Sequence, residues 1–324
     1  MPAFPVDKRT AAWASWLPAT AVLAVAVFLL GLTSCTTATP SALPAATSEP
    51  SQAGSPRTSQ VRRVDKVLVI VEENRSAHSA AAHMPFLMSQ ARTYGTATNF
   101  YAITHPSLPN YLVVAGGSTF GITDDADPDS HQLNGPSVFG KLISVGRTTK
   151  TYAEGMPTNC AQRNHGTYAV RHNPWTYFDN QAERTTCKQF DVPSGSPTAG
   201  ALSDDVTAGR LPTFGLVIPD LCHDGHDCSA ATADHWLRSW LPAIENGPDF
   251  RSHRLAIVVT WDEDDDKSGN HVAMVVIQPL LDNKQVTTRL NQYGLSASIA
   301  RIGGIQPLRD AEKKTDVLAA FDLT

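Results

Sequence analysis

Leu255-Ala-Ile-Val-Val-Thr-Trp-Asp-Glu-Asp-Asp-Asp-Lys-Ser-Gly-Asn-His271 is an apolar run that breaks abruptly into acid and closes on a histidine. Residues 255–260 are apolar or β-branched without alternation. That predicts a strand buried on both faces, because a half-exposed strand alternates polar and apolar positions. Asp262 and Glu263 then stand at its C-terminal end. Ligands bind at that end of strands in open α/β sheets, so the carboxylate pair is a candidate metal or general-base site. Taken alone, the run favours the reading as a solvated acidic turn.

The same pattern recurs elsewhere in the chain. Residues 66–71, Lys-Val-Leu-Val-Ile-Val, run directly into Glu72-Glu73-Asn74-Arg75-Ser76. Residues 213–218, Thr-Phe-Gly-Leu-Val-Ile, precede Pro219-Asp-Leu-Cys-His-Asp-Gly-His-Asp-Cys228. Between these strands, Phe86, Leu87, Ala91 and Tyr94 recur at helical spacing and predict a helix over 84–94. A short strand is expected at 96–101, a helix at 138–145 and a strand at 148–152. Trp236, Leu237, Trp240 and Leu241 mark the core face of a helix over 232–244. A returning strand at 272–277 and helices at 290–302 and 309–320 complete the chain. Strands alternating with helices predict an α/β fold, a central and largely parallel sheet covered by helices on both faces.

Thr104-His-Pro-Ser-Leu-Pro-Asn-Tyr-Leu-Val-Val-Ala-Gly-Gly117 carries a helix start and stop. Ser107 suits an N-cap, Pro109 fits the first turn, and the helix over 108–115 should end at Gly116-Gly117. A serine at a helix N-terminus faces free N–H groups and the positive end of the dipole, which stabilises an alkoxide or binds phosphate. It is also the ordinary N-cap residue. No Gly-x-Ser-x-Gly elbow surrounds Ser107, which argues against an α/β-hydrolase. The aspartates of 121–128 read as turn residues. Residues 154–193 read as a long irregular insertion forming a substrate wall or lid, with His172 its candidate ligand contact.

Lys8 and Arg9 precede the apolar segment 19–32, which ends in Leu32-Thr33-Ser34-Cys35. This is an export signal too short to span a bilayer, which takes about 20 residues. Its ending resembles a bacterial lipobox, with Cys35 as the lipidated first residue; an uncleaved anchor or ordinary cleavage are the alternatives. The expected product is a cell-surface lipoprotein held to the bacterial membrane through Cys35, or a secreted protein if the lipobox is unused. Residues 36–63, rich in Ala, Thr, Ser and Pro, lack the apolar content to fold and read as a tether. Residues 64–324 are of a size that forms one catalytic domain. Four cysteines, 160, 187, 222 and 228, remain in an exported chain, so disulfides are expected. Of three connectivities the local one is favoured, Cys160 with Cys187 and Cys222 with Cys228. A net charge of −5 offers no basic patch for nucleic acid.

Glu73, Asn74, Asp262 and Glu263 are hard oxygen donors from two strand ends, with Ser107 as a fifth. The set suits one or two divalent cations, Mg²⁺, Mn²⁺ or Ca²⁺, or Zn²⁺ if imidazole joins. A cation on the serine oxygen would make it nucleophilic. His226 and His271 are candidates to protonate a leaving group or orient phosphate. With Asp220 and Asp224 they also form a candidate second metal or phosphate site. An EF-hand fails on inspection: Asp262, Asp264 and Asp266 fit, but Lys267 replaces the required glycine and Ala273 the required glutamate.

Val71-Glu-Glu-Asn-Arg-Ser76, His105-Pro-Ser-Leu-Pro-Asn-Tyr111 with Gly121-Ile-Thr-Asp-Asp125, Pro219 to Cys228, and Thr260-Trp-Asp-Glu-Asp264 with Asn270-His271 resemble the bacterial phosphoesterase family of acid phosphatases and phospholipases C, within the alkaline-phosphatase superfamily. The resemblance covers roughly residues 67–277. It implies a serine nucleophile, at Ser107, that forms a covalent phospho-enzyme beside a metal held by Glu73, Asn74, Asp262 and Glu263. It implies phosphate contact at Asn110 and places Asp224, His226 and His271 in the second half of the site. Many superfamily members have Asp-His where this chain has Asp262-Glu263, and Asp where it has Glu73-Asn74, which leaves the metal and its number open. The expected activity is acid phosphatase, with phospholipase C as the alternative enzyme and a phosphate- or partner-binding lipoprotein as the non-enzyme alternative.

Overall fold

The structure, a computed structural model, describes residues 63–324. The export signal, Cys35 and nearly all of the 36–63 tether lie outside them. In chain order the strands are β1 (Lys66–Glu72), β2 (Gly95–Ala97), β3 (Phe100–Tyr101), β4 (Thr149–Ala153), β5 (Asp191–Pro193), β6 (Phe214–Ile218), β7 (Leu255–Trp261), β8 (Met274–Ile277), β9 (Lys284–Val286) and β10 (Leu290–Asn291). The helices are α1 (Ala77–His83), α2 (Pro85–Thr93), α3 (Ser107–Gly116), α4 (Val138–Ser144), α5 (Gln181–Phe190), α6 (Ala201–Thr207), α7 (Ala230–Asn246), α8 (Pro248–Arg251), α9 (Gln292–Ile302) and α10 (Val317–Ala320).

Eight strands form one sheet in the order β5-β4-β6-β1-β7-β8-β2-β9. β1 lies between β6 and β7, parallel to both. β4 and β5 extend the parallel part, whereas β8 runs antiparallel between β7 and β2. The unbroken apolar runs are explained by this position, since every residue of β1, β6 and β7 is buried. Helix α3 packs on α9 and α4, and α7 packs on α1 and α2, giving two helical groups around the sheet. Trp236, Leu237, Trp240 and Leu241 are core, as their spacing predicts.

Several local expectations change. The strand expected at 96–101 divides between two sheets, because β3 leaves to pair with β10. β10 takes the first residues of the expected 290–302 helix, and 309–320 holds only a 3-10 turn, Arg309–Ala311, and the short α10. The 154–193 insertion is not irregular throughout. It contains 3-10 turns at Val170–His172 and Pro174–Tyr177, then α5, and returns as β5 on the sheet edge. The disulfides are Cys160–Cys187 and Cys222–Cys228, the local pairing.

Candidate active site

Three parallel strand ends meet at the centre of the sheet. The Asp262 N–H donates to the Glu72 carbonyl at 3.0 Å, and the Glu73 N–H donates to the Asp224 carbonyl at 2.9 Å. The loops after β1, β6 and β7 are thereby stitched side by side. Asn74 turns the chain sharply with φ 51°, a left-handed conformation that Asn tolerates better than most residues. Its N–H reaches Asp262 Oδ1 at 3.3 Å, and the Glu263 N–H reaches the same oxygen at 2.6 Å.

Ser107 is the first residue of α3, and Pro106 occupies the cap position. The serine therefore does not cap its helix as expected. Its hydroxyl is free to donate to Glu73 Oε2 at 3.2 Å, and it is almost fully buried. The N–H of the next residue, Leu108, donates to Asp125 Oδ1 at 2.9 Å. At the far end Gly117 adopts φ 71°, and a Cβ there would come within 2.1 Å of the Leu308 carbonyl oxygen, so the helix stops at a glycine.

Tyr111 lies one helical turn after Ser107, on the same side, and donates its hydroxyl to Glu73 Oε1 at 3.0 Å. Its ring stacks on His172 at 5.1 Å between centroids. The His172 ring stands between two acids, with Nε2 3.0 Å from Glu73 Oε1 and Nδ1 3.2 Å from Asp224 Oδ2. Both are ion-pair contacts that lack linear hydrogen-bond geometry. Burial alone would raise the Glu73 carboxyl, but the charge of His172 overrides it and holds the group down at about 2. Conversely, burial opposes a charge on His172, and Glu73 and Asp224 overcome it and raise the imidazole to about 9. Glu73 and His172 are thus a buried ion pair.

Asp262 is raised well above the ordinary carboxyl range by burial and then by the carboxylates of Glu73 and Glu263, with the Ser107 hydroxyl working against the rise. Burial and the Glu73 charge raise Glu263 to about 8. Three mutually repelling carboxyls, Glu73 and Asp262 at the serine hydroxyl and Glu263 next to Asp262, fit a divalent cation, and buried Asp262 Oδ2 lacks a hydrogen-bond partner. The set is more open than two other groups whose ligand atoms all lie within 4.8 Å of one another, Cys160–Cys187–Asp191 and Glu154–Asp220–His223. The first of those is spent on a disulfide.

The other sequence candidates divide. Asn110 has no exposed surface and is saturated. It accepts from the Ile103 and Thr104 N–H groups, and donates to the Thr104 and Pro106 carbonyls and, at 3.4 Å, to Glu263 Oε2. It braces the loop before Ser107 and its neighbour Glu263, where phosphate contact was expected. His172, expected to touch a ligand, is 1% exposed and positions Glu73. His226 donates from Nδ1 to Asp227 Oδ1 at 2.7 Å, while Nε2 accepts from Arg171 Nη2 at 3.0 Å.

The quartet of Asp220, Asp224, His226 and His271 does not assemble as one site. Asp224 turns to His172, and the Asp220 carboxylate turns to His223 and the Thr167 hydroxyl while its N–H donates to Glu154 Oε2. His271 donates to the Thr98 carbonyl at 3.0 Å and packs on Tyr101. The bridge between Tyr101 and His271 ties this histidine to β3, because β3 departs from the main sheet. Sequence reasoning missed Tyr111, Asp125, Arg171 and His105. The spacing of four from Ser107 was a usable signal for Tyr111. His105 contacts Glu263 Oε2 at 3.2 Å and Asp264 Oδ1 at 3.1 Å, and nothing local announces either partner.

The Phosphoesterase family model matches residues 78–299. The chain belongs to the Phosphoesterase family. It is a hydrolase acting on phosphoric ester bonds. It is 32% identical over 250 residues to a phosphatidylinositol-3-phosphatase of Mycobacterium tuberculosis, covering 74% of this chain and 77% of that protein. It is 30% identical over 255 residues to an acid phosphatase of Aspergillus fumigatus, covering 73% of this chain but only 54% of the relative's length. A protein of the alkaline phosphatase superfamily from Vibrio parahaemolyticus shares the fold, with a TM-score of 0.52 at 13% identity over 78% of this chain and 70% of that one. The lipoteichoic acid synthase LtaP of Listeria monocytogenes does so at 0.52 and 8% identity, covering 78% of this chain and 77% of that one. The phosphoesterase's fold is that of the alkaline phosphatase superfamily.

Proposed function

We propose that this phosphoesterase is a metal-assisted phosphomonoesterase of the acid phosphatase type, working through a phosphoserine at Ser107. The observation that carries the reading is the buried Ser107 hydroxyl donating to Glu73 Oε2 at 3.2 Å, amid the carboxyls of Asp262 and Glu263. A divalent cation held by Glu73, Asn74, Asp262 and Glu263, of the Mg²⁺, Mn²⁺, Ca²⁺ or Zn²⁺ class, would lower the hydroxyl's pKa and neutralise phosphoryl charge. Ser107 Oγ then attacks phosphorus, the alcohol leaves, and water hydrolyses the phosphoserine. Glu73 orients the attacking oxygen and is itself fixed by Tyr111 and His172. Asn110 keeps the 103–106 loop and Glu263 in register with the nucleophile.

Ser107→Ala tests this directly. Turnover of p-nitrophenyl phosphate is expected to fall by about 1,000-fold or more, and retention of activity would sink the mechanism. Comparing that substrate with phosphatidylinositol 3-phosphate, phosphatidylcholine and a nucleotide separates a monoesterase from the phospholipase C alternative. The name of the mycobacterial relative makes the phosphoinositide the lipid to try first. The disulfides suit an extracytoplasmic setting, and among the described residues no helix is long and apolar enough to cross a membrane. Anchoring through Cys35, with a catalytic domain over 64–324, is part of the same proposal and is checked by labelling with a radioactive fatty acid before and after Cys35→Ala.

A further inference from the structure

Two arginines approach the site and they are used differently. Arg75 is committed to the backbone: it donates to the carbonyls of Asn74, Gly225 and Cys228, at 3.1, 2.9 and 3.1 Å. That arginine is a strap holding the β1 and β6 loops together. Arg171, in the turn Val170–His172, makes one hydrogen bond, from Nη2 to His226 Nε2 at 3.0 Å. Its other polar neighbour, Asp125 Oδ2, stands 3.8 Å from Nε, an ion-pair contact too long for a hydrogen bond. A guanidinium has five N–H donors, so most of this one's capacity is unspent. The side chain is 19% exposed, open to solvent yet largely enclosed.

Both partners lead to the reacting centre. Asp125 accepts the Leu108 N–H, one residue from Ser107. The His226 N–H donates to Asp224 Oδ1 at 2.8 Å, and Asp224 contacts His172, the partner of Glu73. The guanidinium thus spans from the N-terminus of α3 to the loop after β6, and its sequence neighbour His172 anchors the turn inside the protein. A partly open guanidinium with unspent donors, linked through Asp125 to the N-terminus of the helix that carries Ser107, is chemically matched to two anionic phosphoryl oxygens.

Resting on the phosphomonoesterase reading, we propose that Arg171 is a specificity residue that grips the phosphoryl oxygens of a monoester dianion and so selects monoesters over diesters. A diester carries an alkyl group on one of the monoester's three non-bridging oxygens and has lost one negative charge, so it leaves the guanidinium one acceptor fewer to choose from and a weaker charge.

The test uses the full chain with its metal, and competitive inhibition by inorganic phosphate and by dimethyl phosphate. Arg171→Met is expected to raise the Ki of inorganic phosphate and the KM of p-nitrophenyl phosphate about 10- to 100-fold, the size of a hydrogen bond to a charged group. The Ki of dimethyl phosphate should stay near the original value, and Arg171→Lys should recover only part of the loss because the fork is gone. An unchanged phosphate Ki overturns the proposal, as do parallel rises for both inhibitors, which would make Arg171 a brace for His226 and Asp125. Should Arg171→Met fail to fold, Arg171→Lys decides: a raised phosphate Ki with unaltered circular dichroism supports the proposal, and an original Ki overturns it. Phosphate affinity measured by calorimetry does not depend on a phosphoserine. Activity surviving in Ser107→Ala would therefore break the parent mechanism separately from this result.

Discussion

Glu72 closes β1 and Glu73 follows it; neither has exposed surface, and they differ in everything that decides function. Glu73 faces Ser107 and Tyr111 of α3, whereas Glu72 lies near Asp234 of α7. Glu73 meets Ser107, Tyr111 and His172, and stays ionised at about 2. Glu72 has no hydrogen-bond partner on either oxygen, and burial, followed by the nearby carboxylates of Asp224, Asp234 and Glu154, raises it well above the ordinary range. Burial is equal for the two residues; what differs is whether a cation and donors face the carboxyl. A buried acid becomes an active-site acid only when its neighbours keep it charged.

Breaking the comparison at its functional end has the largest expected effect. Glu73→Gln should lower kcat/KM by at least about 100-fold and reduce bound metal, since it weakens a proposed ligand and the acceptor for Ser107. Glu72→Gln, one residue away, should leave kcat/KM close to the original. Steady-state kinetics with metal analysis on the pair checks this, and equal losses would show that the two residues are not separate. Next comes His172→Gln, which removes the cation that keeps Glu73 charged. A loss of about 10- to 100-fold is expected, the scale for an outer partner of a metal ligand, with metal affinity falling in step.

The smallest effect sharpens the comparison away from the site. Asp191, also fully buried, accepts from Asn173 Nδ2 at 2.9 Å and faces no cation, and burial raises it to about 8. Its folded form binds a proton that the unfolded form has lost above about pH 4. The stabilisation is therefore fully present below that pH and is lost progressively as pH rises through about 8. Asp191→Asn should flatten the decline between those limits, measured as unfolding midpoint against pH. An unchanged slope would show that Asp191 is ionised in the fold.

The core of the fold was readable because central strands of a parallel sheet are buried on both faces and write themselves as unbroken apolar runs, as at 66–71, 213–218 and 255–260. Edge elements were read less well. β5 and β10 are too short to carry a pattern, and their pairing is set by distant partners. Of the three cysteine pairings open to the sequence, the favoured local one is found, each bridge closing a local loop.

By itself the sequence determined that acids and a serine would stand at strand ends and at a helix start, since strand length and helix signals are local properties. The acidic run after Trp261 illustrates the limit. Asp262 and Glu263 turn inward to the Glu73 cluster, Asp264 collects the N–H groups of Asp266, Ser268 and Asn270, and His271 closes on Tyr101. Only the tertiary structure decided which of two adjacent glutamates is charged, that His172 and Asn110 position other groups, and that Arg171 keeps most of its donors unspent between His226 and Asp125. Those outcomes depend on which crossover helix and which loop pack over each strand end, and contacts between residues far apart in the chain leave no period for a sequence to display.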